Sequence, residues 1–356
     1  MSPTPRLSVI IPAYQAEGYL PRTLAAVCDS DLPRDQYELI VVDDASRDQT
    51  SAVAARWADR VVTLADRPGG PAHARNRGAV LARGEWLLFV DADVVVHRDT
   101  LRRVDQAFTA APGLVAVFGT YDDAPPTPGF VSQFRNLMHR YVHLQSAGVA
   151  DTFWAGCGAV RREAFLAVGG FDASRYPRPQ IEDIELGYRL RDAGGEIRVD
   201  AAIQGAHLKR WTFVGGTRTD LVDRGIPWVR LLHERGGVTA DKNLNLKGGE
   251  RFKTSLVGLG LLLLGLVPWL GAPAALGALA LLALVVALNW AVLHWFVRLR
   301  GPLFAVGAAG FLVWYHFISG VAVVLGTLAH WRGRLGRPAR QAAKPDSPPR
   351  ALTSVE

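Results

Sequence analysis

Trp86, Leu87, Leu88, Phe89 and Val90 run without interruption into Asp91-Ala92-Asp93, two carboxylates separated by one residue. An apolar run of that length, with no polar alternation, reads as a strand buried on both faces, as in sheets that carry helices on either side. In open α/β sheets ligands bind in the crevice beyond the carboxyl ends of the strands. Asp91 and Asp93 stand at such an end. In an extended chain they would point the same way, with Ala92 pointing the other. Two like charges that close repel unless a cation or hydrogen-bond donors lie between them. The plain alternative is a solvated loop after a strand, and the rest of the chain decides between the two.

Two earlier strands have the same character. Leu7, Ser8, Val9, Ile10 and Ile11 read as a buried strand stopping at Pro12, and Glu38 to Val42 as another, ending in Asp43-Asp44. Helical segments follow each, near Tyr14-Gln15-Ala16-Glu17 and over 49–57, and a short strand is expected near 61–64. That rhythm predicts an α/β fold, a doubly wound and mostly parallel sheet. Gly69-Gly70-Pro71 breaks the chain before a helix with Arg75 in its opening turns. Three strand ends and Arg75 therefore gather at one edge. That edge suits a phosphate-bearing ligand: Arg for the anion, a divalent cation between carboxylates, aromatic and acidic groups around a base.

Further along, 115–119 reads as a strand and 121–129, rich in proline, as a loop. Residues 130–145 read as a helix, with His139 and His143 at i and i+4. That spacing can bind metal, but no acid follows in place, so core or surface histidines are expected. Trp154 with Gly156 and Gly158 opens a segment where backbone and aromatic face can approach a ligand. A helix is expected over 181–190, opening on Glu182-Asp183. Acids there suit the helix dipole.

The charge is split along the chain. Of 356 residues with net charge +7, those from 254 to 297 include no Asp, Glu, Lys or Arg. That is long enough for two membrane-spanning helices of roughly 20 residues each. A third apolar segment runs over 303–329. Spans are expected near 255–271, 274–297 and 303–328, with Arg251, Lys253, Arg298 and Arg300 on the inner side. The basic tail then falls outside, against the same tendency. Residues 217–235 alternate apolar side chains with arginines, as an interfacial helix broken at Gly225-Ile226-Pro227 would. Basic residues crowd the flanks of the apolar segments, which suits anionic headgroups rather than a nucleic-acid groove. No nucleic-acid partner is expected. Cys28 and Cys157 have no metal spacing and read as unpaired cytosolic thiols. The start of the chain lacks the apolar core of a signal peptide.

Ser8 to Tyr14, Val41 to Ser46, Gly70 through Gly78 and Asp91-Ala92-Asp93 together resemble the family 2 glycosyltransferases of the GT-A fold, in the family's order and spacing. The resemblance implies an inverting transferase that uses a nucleotide sugar, with UDP favoured and GDP possible. By it, Asp44 binds a uracil-type base, and Pro12, Tyr14 and Glu17 line the nucleoside. Arg75 faces the nucleotide, while Asp93, helped by Asp91, holds Mg²⁺ or Mn²⁺ on the diphosphate. Trp154 and Glu182 fall on the acceptor side, with the Gly169-Gly170-Phe171-Asp172 turn between them. Asp183 matches the general base. His207-Leu208-Lys209-Arg210-Trp211 is similar to the (Gln or Arg)-x-x-Arg-Trp signature of membrane-embedded synthases, departing at His207. Arg210 would face the diphosphate and Trp211 the acceptor. His207 is either a third metal ligand or a neutral contact to the diphosphate.

The expected organisation is a catalytic domain over 1–215, an interfacial linker over 216–253, a membrane region of about three helices over 254–329 and a disordered basic tail over 330–356. The catalytic domain is expected on the cytoplasmic face of a multi-pass membrane protein, acting on a lipid or lipid-linked acceptor. A processive polysaccharide synthase and a catalytically silent nucleotide-sugar-binding subunit are the alternatives.

Overall fold

The structure, a computed structural model, describes residues 4–64, 67–236 and 248–335. The chain forms two compact units that divide between Arg210 and Trp211, a few residues ahead of the expected boundary. Most of the expected basic tail lies outside the described residues.

In the first unit the chain runs β1 (Leu7–Ala13), α1 (Leu20–Cys28), β2 (Tyr37–Asp43), α2 (Thr50–Ala54), β3 (Arg60–Thr63), α3 (Pro71–Leu81), β4 (Trp86–Val90) and β5 (Val94–Val96). It continues through α4 (Thr100–Ala110), β6 (Leu114–Tyr121), α5 (Phe130–Leu144), β7 (Gly148–Ala150), β8 (Cys157–Arg161), α6 (Arg162–Ala167), α7 (Glu182–Asp192) and β9 (Glu196–His207). The strands form one sheet in the order β3-β2-β1-β4-β8-β6-β9-β5, with β7 also paired to β9.

The apolar runs that read as buried strands are buried. Leu7, Val9, Ile10 and Ile11 of β1, Leu39 to Val42 of β2 and Leu87 to Val90 of β4 are all fully inaccessible. β1 continues through Pro12, which stays in register with Val42 after pairing with β4 has ended at Ile10.

The sheet is mixed, which corrects the mostly parallel expectation. β3, β2, β1 and β4 are parallel. β8 then enters between β4 and β6, antiparallel to both. β5 and β7 also run antiparallel to β9, whereas β6 pairs with β9 in parallel. Apolar runs mark a strand as buried but leave its direction open. β5, three residues long and directly behind Asp93, escaped the periodicity altogether.

In the second unit α8 (Phe213–Arg218) passes through a π-helical turn (Thr219–Gly225) into α9 (Ile226–Glu234). The expected break at Gly225-Ile226-Pro227 is absent, since Gly225 keeps helical angles (φ −61°, ψ −57°). Pro227 sits in the first turn of α9, directly after the π-helical turn. After the linker come α10 (Gly248–Gly265), α11 (Val267–Leu270), α12 (Ala272–Leu288), α13 (Trp290–Arg300) and α14 (Pro302–Leu335).

Among the described residues only α14 is by itself long and apolar enough to cross a membrane. The span expected over 274–297 is two helices, α12 and α13, bent by 63°. The bend sits at Asn289, whose carboxamide donates to Val285 O (2.9 Å) and accepts from Lys253 Nζ (2.9 Å). The span expected over 255–271 is likewise divided, between α10 and α11.

α8 and α9 run alongside α14 in the same direction. Thr217 accepts a hydrogen bond from Trp314 Nε1, 97 positions away (3.0 Å). Gly225 against Ala322, Val229 against Gly326 and His233 stacked on His330 repeat that spacing.

Candidate functional site

The site is built where the carboxyl ends of β1, β2 and β4 meet the start of α7 and the end of β9. Asp44 follows β2 directly, and its backbone N–H donates to Ala13 O at the end of β1 (2.8 Å). Its carboxylate accepts from Gly69 N at Oδ1 and from Gly70 N at Oδ2, both at 2.8 Å. Asp44 is buried and holds the loop that starts α3. Gly70 (φ +86°) is required there, since a Cβ would strike the Pro177 carbonyl.

The rim beside Asp44 is open. Tyr14 is 51% exposed, and Glu17 accepts from Gln49 N (2.8 Å). Two non-glycine residues on this rim, Gln15 (φ 50°) and Ala45 (φ 58°), hold left-handed backbone conformations. Strained backbone of this kind clusters at ligand-binding loops.

Arg75 does not face open solvent. It is 4% exposed and bridges two carboxylates: Nη2 donates to Asp91 Oδ1 (2.6 Å) and Nη1 to Glu182 Oε1 (2.9 Å). Its guanidinium lies over the Phe171 ring, 5.5 Å from the centroid. Glu182 is also buried and accepts from Gln180 N (2.9 Å). Arg75 and Glu182, expected as ligand contacts, therefore serve inside the protein, tying the end of β4 to the start of α7. Removing either carboxylate would leave a buried positive charge uncompensated.

Asp91 and Asp93 lie in a turn closed by Val94 N donating to Asp91 O (3.0 Å). The extended geometry that would align them is replaced by one that gives each a different partner. Burial pushes the Asp91 carboxyl up, the Arg75 guanidinium opposes this, and the charge of Asp93 adds to it.

Asp93 meets His207 because β5 pairs antiparallel with β9, Val94 opposite His207. Leu208 N donates to Asp93 O (2.8 Å), and Asp93 Oδ2 lies 3.4 Å from His207 Nε2. Burial pushes the Asp93 carboxyl up, but His207 and the charge of Lys209 outweigh it and hold it below the usual range.

Asp183 stands half-buried in the first turn of α7, where the helix dipole favours a carboxylate. Its Oδ2 accepts from Ala155 N (3.2 Å), and Asp91 N donates to the neighbouring Gly156 O (3.1 Å). The 155–156 backbone thus links the two acidic motifs. Trp154 is 8% exposed, packed edge-on to Tyr121 (5.0 Å) and beside His139 (4.7 Å). It is a core residue rather than an open acceptor platform. His143 is buried, with Nδ1 2.9 Å from Gly119 O.

Arg210 is exposed and forms no ion pair among the described residues. Trp211 begins the second unit. Asn136 of α5 was missed by the sequence reading: its Oδ1 lies 2.8 Å from His207 Nδ1. A single carboxamide on a helix, far in sequence from any motif, gives no signal of its own.

Among the described residues no three His, Cys, Asp or Glu side chains are preassembled around one point. The donor set still fits a hard divalent cation held by one or two protein carboxylates together with substrate phosphates. Asp93 and His207 face each other beyond ordinary hydrogen-bond length, and Asp91 commits Oδ1 to Arg75.

Residues 8–169 match the family described as Glycosyl transferase family 2. Glycosyltransferase AglE of Haloferax volcanii is 33% identical over 219 residues, 59% of this chain and 69% of that protein. With both likenesses, the chain belongs to glycosyltransferase family 2. Dolichyl-phosphate beta-glucosyltransferase of Mus musculus is 39% identical over 229 residues, 60% of this chain and 61% of the relative.

The chain spans less of other relatives. It covers 18% of the Staphylococcus aureus poly(ribitol-phosphate) beta-N-acetylglucosaminyltransferase TarS, at 36% identity over 101 residues, which is 27% of this chain. The fold is similar to mannosyltransferase PcManGT from Pyrobaculum calidifontis, solved in complex with GDP-Man and Mn²⁺. The TM-score is 0.57 at 20% identity, covering 90% of this chain and 87% of that one.

Proposed function

We propose that this protein is a membrane-associated, inverting glycosyltransferase that moves a sugar from a UDP- or GDP-sugar to a lipid or lipid-linked acceptor. The observation that carries the reading is the Arg75 bridge, which holds the Asp91–Asp93 turn and the Asp183 helix start across one rim. A cation-binding carboxylate and a basic carboxylate are needed on opposite sides of the same anomeric carbon, and in this reading Asp93 and Asp183 are those two groups.

In the reaction the acceptor hydroxyl oxygen attacks the anomeric carbon, and the bond from that carbon to the phosphate oxygen breaks. Asp183 takes the hydroxyl proton, and the bonding electrons leave with the nucleoside diphosphate. Asp93 and His207, with Asp91 beside them, would hold Mg²⁺ or Mn²⁺, which neutralises charge on the leaving diphosphate. Tyr14, Glu17 and the Asp44 loop would border the nucleoside, and the exposed Arg210 would serve as a cation for the diphosphate. Inversion needs no nucleophile from the protein.

The membrane half of the reading rests on the surface of the second unit. Trp269, Trp290, Leu303 and Val306 are 78%, 68%, 85% and 71% exposed. Apolar exposure on that scale marks a lipid or protein contact, and tryptophans suit the headgroup boundary. The lipid acceptor is also the kind of molecule named in the dolichyl-phosphate relative.

The test is purified full-length protein in detergent with a panel of UDP- and GDP-sugars and lipid extracts. Release of nucleoside diphosphate should require a divalent cation. Asp183→Asn should keep nucleotide binding and lose turnover; loss of both would remove Asp183 as the base. Product chain length separates single transfer from polymerisation.

A further inference from the structure

His207 is held from three directions. Its ring stacks on Tyr121 with centroids 4.6 Å apart and planes 4° from parallel. Tyr121 is in turn covered on another side by His139, centroids 4.4 Å apart. Nε2 faces Asp93, and Nδ1 lies 2.8 Å from Oδ1 of Asn136, a residue only 1% exposed. A carbonyl oxygen cannot donate, so the proton between His207 and Asn136 is carried by Nδ1. With Nδ1 turned to Asn136, Nε2 is the ring nitrogen that faces Asp93, where a cation would be shared.

We infer that Asn136 is a positioning residue for divalent-cation binding, selecting the Nδ1–H tautomer of His207 so that Nε2 can act as a ligand beside Asp93. This rests on the reading of His207 as a ligand given above. Without the Asn136 acceptor the ring is free to carry its proton on Nε2, where it occupies the position the cation needs. Metal-ligating imidazoles generally donate their second N–H to such a partner, and loss of that partner typically costs 10–100-fold in metal affinity.

The experiment titrates Mn²⁺ by electron paramagnetic resonance into full-length protein in detergent with saturating UDP, repeated with GDP. Asn136→Leu should weaken Mn²⁺ by about 10–100-fold, and Asn136→Asp, which keeps an acceptor, should restore the affinity. A purely structural Asn136 would leave Mn²⁺ affinity unchanged in every variant that folds. His207→Ala separates the two levels. If it leaves Mn²⁺ binding intact, the ligand reading of His207 falls and this inference with it. If it weakens binding while Asn136→Leu does not, the inference alone is overturned. Should Asn136→Leu fail to fold, ring ¹⁵N shifts of His207 in the metal-free wild type decide. An Nδ1–H tautomer supports the assignment, and an Nε2–H tautomer overturns it.

Discussion

Arg75 and Glu182, 107 positions apart in the chain, meet at 2.9 Å inside the protein. The second nitrogen of the same guanidinium reaches Asp91 at 2.6 Å. One side chain thus ties the Asp91 turn to the helix that carries Asp183. Removing one member of a buried charge pair leaves its partners uncompensated. Arg75→Met should therefore lower stability by about 3–5 kcal/mol, read as a drop in the thermal or urea unfolding midpoint without any nucleotide present. A residue that only touched the nucleotide would leave the ligand-free midpoint unchanged. Arg75→Lys keeps the charge but loses the fork that reaches both acids, so it should fall between the two.

Asp44 makes a related case. Both carboxylate oxygens are occupied by the N–H groups of Gly69 and Gly70. Asn in its place keeps one acceptor and turns an NH₂ toward a backbone donor. Leaving a buried group unsatisfied costs about 1–3 kcal/mol, so Asp44→Asn should lower the unfolding midpoint accordingly. It should also weaken UDP binding in calorimetry if, as proposed, the freed loop borders the nucleoside. A change in UDP affinity with no change in midpoint would assign Asp44 to the base alone.

How far the sequence reaches is clear from these residues. β1, β2 and β4 were legible because uninterrupted apolar runs can only be buried, and the acids after them mark the sheet's carboxyl edge. Asp93 stood out by its place at the end of a buried strand, whereas Asp183 and His207 were marked only by the family resemblance. The pairing of Arg75 with Glu182, and of His207 with Asn136, was not legible. Each depends on tertiary register, on where β8 inserts and how β5 meets β9, and local periodicity carries no information on either. Trp154 was ambiguous because an aromatic beside glycines suits a core and a ligand face equally. The 63° bend at Asn289 was hidden because one polar residue in a long apolar stretch does not reveal whether the helix continues.

The pair His97–Asp122, joined at 3.0 Å, gives the first unit a pH signature. The hydrogen bond to Asp122 raises His97 above its usual 6.5, burial opposing it. Burial pushes Asp122 up, but His97 and the Ala124 backbone N–H outweigh it and hold it below 3.8. A raised imidazole stabilises fully below its unfolded pKa and loses that contribution as pH rises through its folded value. A depressed carboxylate stabilises above its unfolded pKa and loses that as pH falls through its folded value. The pair should therefore help most between about pH 4 and 6.5. The gap in unfolding temperature between wild type and His97→Ala should be widest near pH 5–6 and shrink above pH 7. A gap that grows toward pH 8 would contradict the assignment.

The parallel run of α9 along α14 can be tested with two glycines of the same helix. A Cβ at Gly326 would lie 2.6 Å from Val229 Cβ and 3.1 Å from Ile226 O, so neither helix could keep its place. Overpacking of this kind typically costs about 1–3 kcal/mol. Gly310, also in α14, has nothing within 4 Å of the same position. There an alanine should be neutral or stabilising by up to about 1 kcal/mol, the helix-propensity difference. Gly326→Ala should thus lower the unfolding midpoint in detergent, while Gly310→Ala leaves it unchanged or raises it. The contrast matters because helix propensity alone predicts the same sign at both sites. Only a close approach of the two backbones makes the signs differ.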